Sequence, residues 1–155
     1  MKADQVKTMQ QELEERFQKL NIETAWLEGE EGQIGDTLRA LLPVTKTGDH
    51  VLLEVMVTRL DEDMVLLDLF ISLIMEVGPG YEALKETMLD WNLDSPIGAF
   101  GIYRPGRTFY HRYTFPFPCD ALPEELASQA AYLIDRCYDV VAAVFPEAVR
   151  ISGHA

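Results

Sequence analysis

Side chains able to move protons, hold metals or attack a carbonyl are few and scattered in this chain. The three histidines are His50, His111 and His154, and none lies within four residues of another histidine or of a cysteine. Zinc sites draw their ligands in closely spaced pairs, and that spacing is missing. His111 falls between Tyr110 and Arg112 in an alternating run and reads as a structural or surface histidine. Cys119 and Cys137 are the two cysteines and form no CxxC pair, so they read as reduced thiols, with Cys137 a small core residue. The nucleophile elbow, the P-loop and the dinucleotide fingerprint are all absent. Gly98 and Gly101 lie in a strand pattern, not ahead of a helix, and are read as places where a helix or backbone comes close, not as a phosphate cradle. The segment from Glu28 to Asp36 holds three glycines and four acids. It lacks the alternating acids that close on a glutamate in a calcium loop, so it reads as a solvated loop. No catalytic group, metal or cofactor is expected.

Binding chemistry is easier to find. Arg104, Arg107, Tyr110 and Arg112 alternate aromatic and basic character, as a single-strand nucleic-acid surface does. The chain as a whole carries a formal net charge of -13, which repels phosphate backbones and anionic lipid. Nucleic acid and membrane surfaces are therefore poor partners, and a basic or amphipathic protein segment is a better one. The N-terminus is charged and helical in pattern, unlike a signal peptide. The longest apolar run, Met64 to Val77, is broken by Asp68 and Glu76 and is too short to span a bilayer. A cytoplasmic location is expected.

The elements that must position these residues follow from periodicity. Val6, Met9, Leu13, Phe17 and Leu20 recur at gaps of 3, 4, 4 and 3, which predicts a helix over Ala3 to Leu20. Thr24 to Glu28, Thr37 to Val44 and Val51 to Leu60 read as strands. Met64 to Val77 is the strongest strand. Val65, Leu67, Leu69, Ile71, Leu73, Met75 and Val77 make one apolar face, expected to meet helices. Leu66, Asp68, Phe70, Ser72, Ile74 and Glu76 make a mixed face that its own chain covers only in part. So long a strand is expected to bend or bulge. Tyr81, Leu84, Met88 and Trp91 share a helix face, and Pro96 places that helix end near Trp91 to Asp94. A hairpin follows, turning at Arg104-Pro105-Gly106-Arg107, where glycine is expected to take the positive backbone angle. Phe109, His111, Tyr113 and Phe115 share one side, and Tyr110, Arg112 and Thr114 the other. Pro116 and Pro118 are expected to stop strand pairing. The last helix starts at Pro123, with Glu124 and Glu125 at the positive end of its dipole. Pro146 is expected to end it, leaving Arg150 to Ala155 as a tail. The fold class is α+β in a single domain over residues 1–155: an antiparallel β-sheet packed with three α-helices, in the order α-β-β-β-β-α-β-β-α.

Trp91-Asn92, then Pro96-Ile97-Gly98-Ala99-Phe100, then Phe109-Tyr110-His111-Arg112-Tyr113-Thr114-Phe115-Pro116, and Asp120 to Leu126 before a long helix together resemble the YbjN family. The resemblance is best over Leu84 to Pro146 and covers element order alone over the first half. The family is described as regulators of bacterial signal transduction. Its members are similar in fold to the class I chaperones of type III secretion, small acidic homodimers that commonly pair through the central helix. The resemblance brings no catalytic residues. It implies a non-enzymatic homodimeric adaptor whose partner is another protein, such as a histidine kinase or response regulator. The alternative is a secretion chaperone that holds an effector's N-terminal segment. An enzyme of unfamiliar type is the third reading, and a pocket with convergent ionisable groups would favour it. On the adaptor reading, the protein-binding residues are Leu66, Phe70 and Ile74 on the mixed strand face and Tyr110 and Arg112 on the hairpin.

Overall fold

A computed structural model describes residues 1–153, so His154 and Ala155 lie outside the described residues. The elements are α1 (Ala3–Lys19), β1 (Thr24–Leu27), β2 (Thr37–Pro43), β3 (His50–Arg59), β4 (Met64–Ile74), α2 (Tyr81–Asp94), β5 (Ala99–Tyr103), β6 (Thr108–Pro118) and α3 (Pro123–Ser152). The expected α+β order holds. The strands form one sheet in the order β1-β2-β3-β4-β6-β5, with every neighbouring pair antiparallel. β5 therefore runs parallel to β4 with β6 between them, and α2 carries the chain across.

Strand alternation sorts the sheet into two unlike faces. Leu53, Val55, Val57, Val65, Leu67, Leu69, Ile71, Phe109 and His111 are fully buried. The apolar ones form one cluster with Val6, Met9 and Leu13 of α1, Leu84 of α2, and Leu126, Ala130, Cys137 and Val141 of α3. All three helices thus lie against this face. Among the described residues, no helix lies on the other face.

The final helix departs most from expectation. It runs through Pro146 to Ser152, 30 residues in all and about 45 Å long at the usual rise. Pro146 removes one backbone hydrogen bond, but it is exposed, while Phe145, Ala148 and Ser152 on either side of it are buried. Docking of the last turn outweighs the missing bond. Ser152 Oγ accepts from the Gly78 N–H at 3.0 Å, and its carbonyl accepts from the Gly80 N–H at 3.0 Å. Gly153 then ends the helix in the left-handed conformation, φ 80°. Arg150, Ile151 and Ser152 of the expected tail are therefore the last turn of α3, and its final two residues lie outside the described residues.

Three further expectations are corrected. Pro116 and Pro118 do not stop pairing: they lie opposite Leu66 and Met64 on β4. The Cys119 N–H donates to the Asp63 carbonyl at 2.7 Å, so odd-numbered N–H groups here face β4. The even-numbered prolines lack theirs on the outer side, where β5 has already stopped at Arg112. The positive angle in the hairpin turn falls on Arg107, φ 52°, and not on Gly106. Arg107 closes the turn by donating its N–H to the Arg104 carbonyl, in the position where such loops place a left-handed residue. β4 ends at Ile74, three residues early, and Met75 is 60% exposed instead of joining the apolar face.

A Cβ on Gly80 would collide with the carbonyl of Ile151, and both are backbone-anchored. Gly80→Ala is expected to destabilise the protein by about 2–3 kcal/mol, read from the midpoint of urea unfolding. An unchanged midpoint would contradict the close docking of the α3 terminus.

Candidate protein-binding face

The uncovered face is built from the even-numbered residues of β3, β4 and β6, with matching positions of the outer strands. Its centre is Asp68 on β4. A carboxylate here has no helix above it and little water, being 6% exposed. Left alone it would be costly. Arg112 of β6 meets it with two hydrogen bonds, Nε to Oδ1 at 3.0 Å and Nη2 to Oδ2 at 2.7 Å. The hydrogen bonds from Arg112 to Asp68, ahead of plain charge attraction, raise the guanidinium above its ordinary range. Two strands away, Arg39 Nε pairs with Glu54 Oε2 at 3.2 Å.

Beside these pairs lies an aromatic step. Phe70 sits opposite Arg112 in register, and its ring stacks on Tyr110 with centroids 4.6 Å apart. Tyr110 in turn needs Gly101 beside it on β5, because a Cβ there would lie 2.5 Å from the tyrosine oxygen. Tyr103, at the end of β5, is 59% exposed. A shallow depression of about 450 Å³ forms among Glu54, Met56, Phe70, Tyr103, Tyr110 and Arg112. Glu30 adds one wall. The acidic loop that carries Glu30 is folded onto the sheet: Gln33 bridges to Thr58, and the Ile34 N–H donates to the Val57 carbonyl at 2.8 Å. Gln10 of α1 holds the loop's far end, donating to the carbonyls of Asp36 and Val55.

Of the residues singled out from sequence, Phe70, Tyr110 and Arg112 come together in this depression. Leu66 shares the face but lies opposite Pro116, toward the other end of β4 and outside the depression. Ile74 leaves the face. The register slips between Ser72 and Ile74, which sets Ile74 opposite fully buried Phe109 and packs it against the core. The expected bulge is present, and it removes one expected site residue. Glu30, Glu54, Met56 and Tyr103 were not anticipated. Asp68 carried a signal, an acid at the centre of an apolar strand, but its partner lies 44 residues away.

His111 points to the helix side and is fully buried. Its Nε2 donates to the Ile97 carbonyl at 2.9 Å, and its Nδ1 has no partner. Gly98, φ 67°, leaves room for the ring, since a Cβ there would come within 2.5 Å of it. The two glycines thus admit side chains, and Gly98 also the Arg112 backbone carbonyl, 2.8 Å from where its Cβ would be, so backbone comes close as expected while no helix does. Asn92 of α2 holds the nearby strand from both sides of its amide, accepting from the Phe100 N–H at 2.7 Å and donating to the Phe100 carbonyl at 3.0 Å. Burial lowers the His111 pKa, against a smaller opposite pull from the Ile97 bond. Burial also pushes the Cys137 thiol up to about 12, so it stays protonated and unreactive. Among the described residues, no cluster of three or more His, Cys, Asp or Glu side chains could hold a metal ion. None of the described helices is long and apolar enough to cross a membrane.

Two outcomes follow for solution work. Because folded His111 lies below the unfolded value of about 6.5, the unfolded chain takes up its proton first as pH falls. The stability this group confers is complete above that pH and declines below it. His111→Gln, which keeps a donor for Ile97, should flatten the loss between about pH 6.5 and 5.5, read from urea midpoints. An unaltered slope would place the titration elsewhere. On the open face, Arg112→Ala strands a buried carboxylate and should cost about 1–3 kcal/mol. Arg150→Ala, which breaks an exposed pair with Glu147, should cost close to nothing.

No family model matches the chain, and no curated protein matches it.

Proposed function

We propose that this protein is a non-enzymatic adaptor that captures another protein on the open face of its sheet. One observation carries the reading: a six-stranded sheet has all its described helices on one side, and its bare side presents Phe70, Tyr110 and Tyr103 beside two ordered charge pairs. Aromatic residues with a polar rim are the usual composition of a protein-binding patch. The depression is shallow, and Glu54 and Arg112 in it are paired across the sheet rather than convergent on a reacting atom, which speaks for contact rather than catalysis. The net charge of -13 favours basic partners and speeds their encounter.

The adaptor acts as a homodimer in this proposal, with α2 in the interface. α2 buries only Leu84 among its residues and leaves Leu89 58% and Leu93 84% exposed. Two leucines one helical turn apart in water are a surface that a second copy would cover. A cytoplasmic setting is proposed from the composition, with two thiols read as reduced and a longest apolar run broken by acids; a histidine kinase or response regulator as the captured protein is carried by the resemblance to the YbjN family.

Phe70→Asp should abolish co-purification of the partner while circular dichroism stays unchanged; a folded mutant that still retains the partner would remove this face from the site. Leu93→Asp should convert the dimer to a monomer in light scattering at micromolar concentration. A wild-type protein that is already monomeric under those conditions would overturn the dimer.

A further inference from the structure

The charges of the open face do not all cancel. Arg112, which lines the depression, is held by Asp68, and Arg39 on the neighbouring strand is held by Glu54, so both nearby cations are already engaged. Glu30 has no ion-pair partner among the described residues, and it stands exposed on the depression's wall. The rings of Tyr103 and Tyr110 line the same depression, and the strand order puts Met56 on β3 and Phe70 on β4 between the loop that carries Glu30 and those rings. An unpaired carboxylate facing aromatic rings over an apolar floor complements one kind of side chain. It must be long, with an aliphatic stem and a flat cationic head.

We propose that the depression bounded by Glu30, Tyr103 and Tyr110 is a receptor for an arginine side chain on the partner's basic segment. This rests on the open face being the capture surface and names what is captured. The arginine stem lies along Met56 and Phe70, its guanidinium stacks on a tyrosine ring, and its N–H groups donate to Glu30. Arginine is favoured over lysine because a planar, weakly hydrated cation stacks on rings and a compact ammonium does not. The resident arginines do not fill the same role, because each is tied down by its own carboxylate.

The test is calorimetric titration of the full-length protein with hexa-arginine and hexalysine peptides at physiological salt. Hexa-arginine is expected to bind about threefold or more tightly than hexalysine. Glu30→Gln and Tyr103→Ala, both at exposed positions, should each weaken hexa-arginine by about threefold or more. Glu15→Gln removes the same charge from an exposed position on α1 and should change binding by less than about twofold, since it acts only through the distant field. The Tyr103 and Tyr110 ring resonances should shift on titration of the wild type. Equal losses from Glu30→Gln and Glu15→Gln, or equal affinity for the two peptides, would mean diffuse attraction to an acidic protein and would overturn the receptor. A native partner that is lost on Phe70→Asp yet unmoved by Glu30→Gln and Tyr103→Ala would also overturn it, while leaving the open face as the capture surface.

Discussion

A single layer of helices covers a sheet that has two sides. Everything else in this molecule adjusts to that. On the covered side, apolar residues at alternate positions meet the helices and exclude water. On the bare side, the chain has to satisfy its polar groups and shield its apolar ones within the plane of the strands. The Asp68 and Arg112 pair does the first, with two charge-assisted hydrogen bonds between neighbouring strands. The Phe70 and Tyr110 stack does the second; such pairs contribute about 0.5–1.5 kcal/mol beyond burial alone. Together they leave a face that is ordered without being closed. A rigid, half-apolar surface of this sort loses little side-chain freedom on binding.

Order on the open face depends on restraints set behind it. α3 docks its last turn onto Gly78 and Gly80, which fixes where α2 begins. α2 in turn holds β5 through both ends of the Asn92 amide. β5 presents Gly101 to the ring of Tyr110 and Tyr103 to solvent. The buried His111 completes the seat, bonded to Ile97 just before β5. The path from the C-terminal helix to the aromatic step is therefore one of successive short contacts. Each has a residue type that the geometry demands: small at Gly80, Gly98 and Gly101, and a bidentate amide at Asn92.

Element type and face were legible in the sequence wherever burial is one-sided. In β3 a shift of one residue would turn Leu53, Val55 and Val57 to water, so the pattern admits one reading. The stripe of α1 is clear for the same reason. Prolines misled, because their effect depends on what the missing N–H would have met. At Pro116 and Pro118 it would have met an open edge, and at Pro146 an exposed turn of a helix held by its neighbours. The site was half legible. Phe70, Tyr110 and Arg112 stand out by residue type and alternation. Their assembly depends on β6 pairing with β4 ahead of β5, a choice between strands far apart in the chain that no local pattern records. Glu30 was read as part of a solvated loop, and the ladder contact of Gln33 with Thr58 that brings it to the sheet has no periodic signature. The slip at Ser72 and Ile74 was expected somewhere in so long a strand, but its position decides which side Ile74 takes.

The central claim is that the bare side of the sheet is where this protein meets its partner. The most direct measurement is site-specific photo-crosslinking in the native cell, with the photoreactive residue placed at Tyr103 on the bare side or at Tyr132, an exposed tyrosine on α3. The account predicts one dominant crosslinked protein from position 103 and none of it from position 132. The same protein captured from position 132 and not from 103 would contradict it.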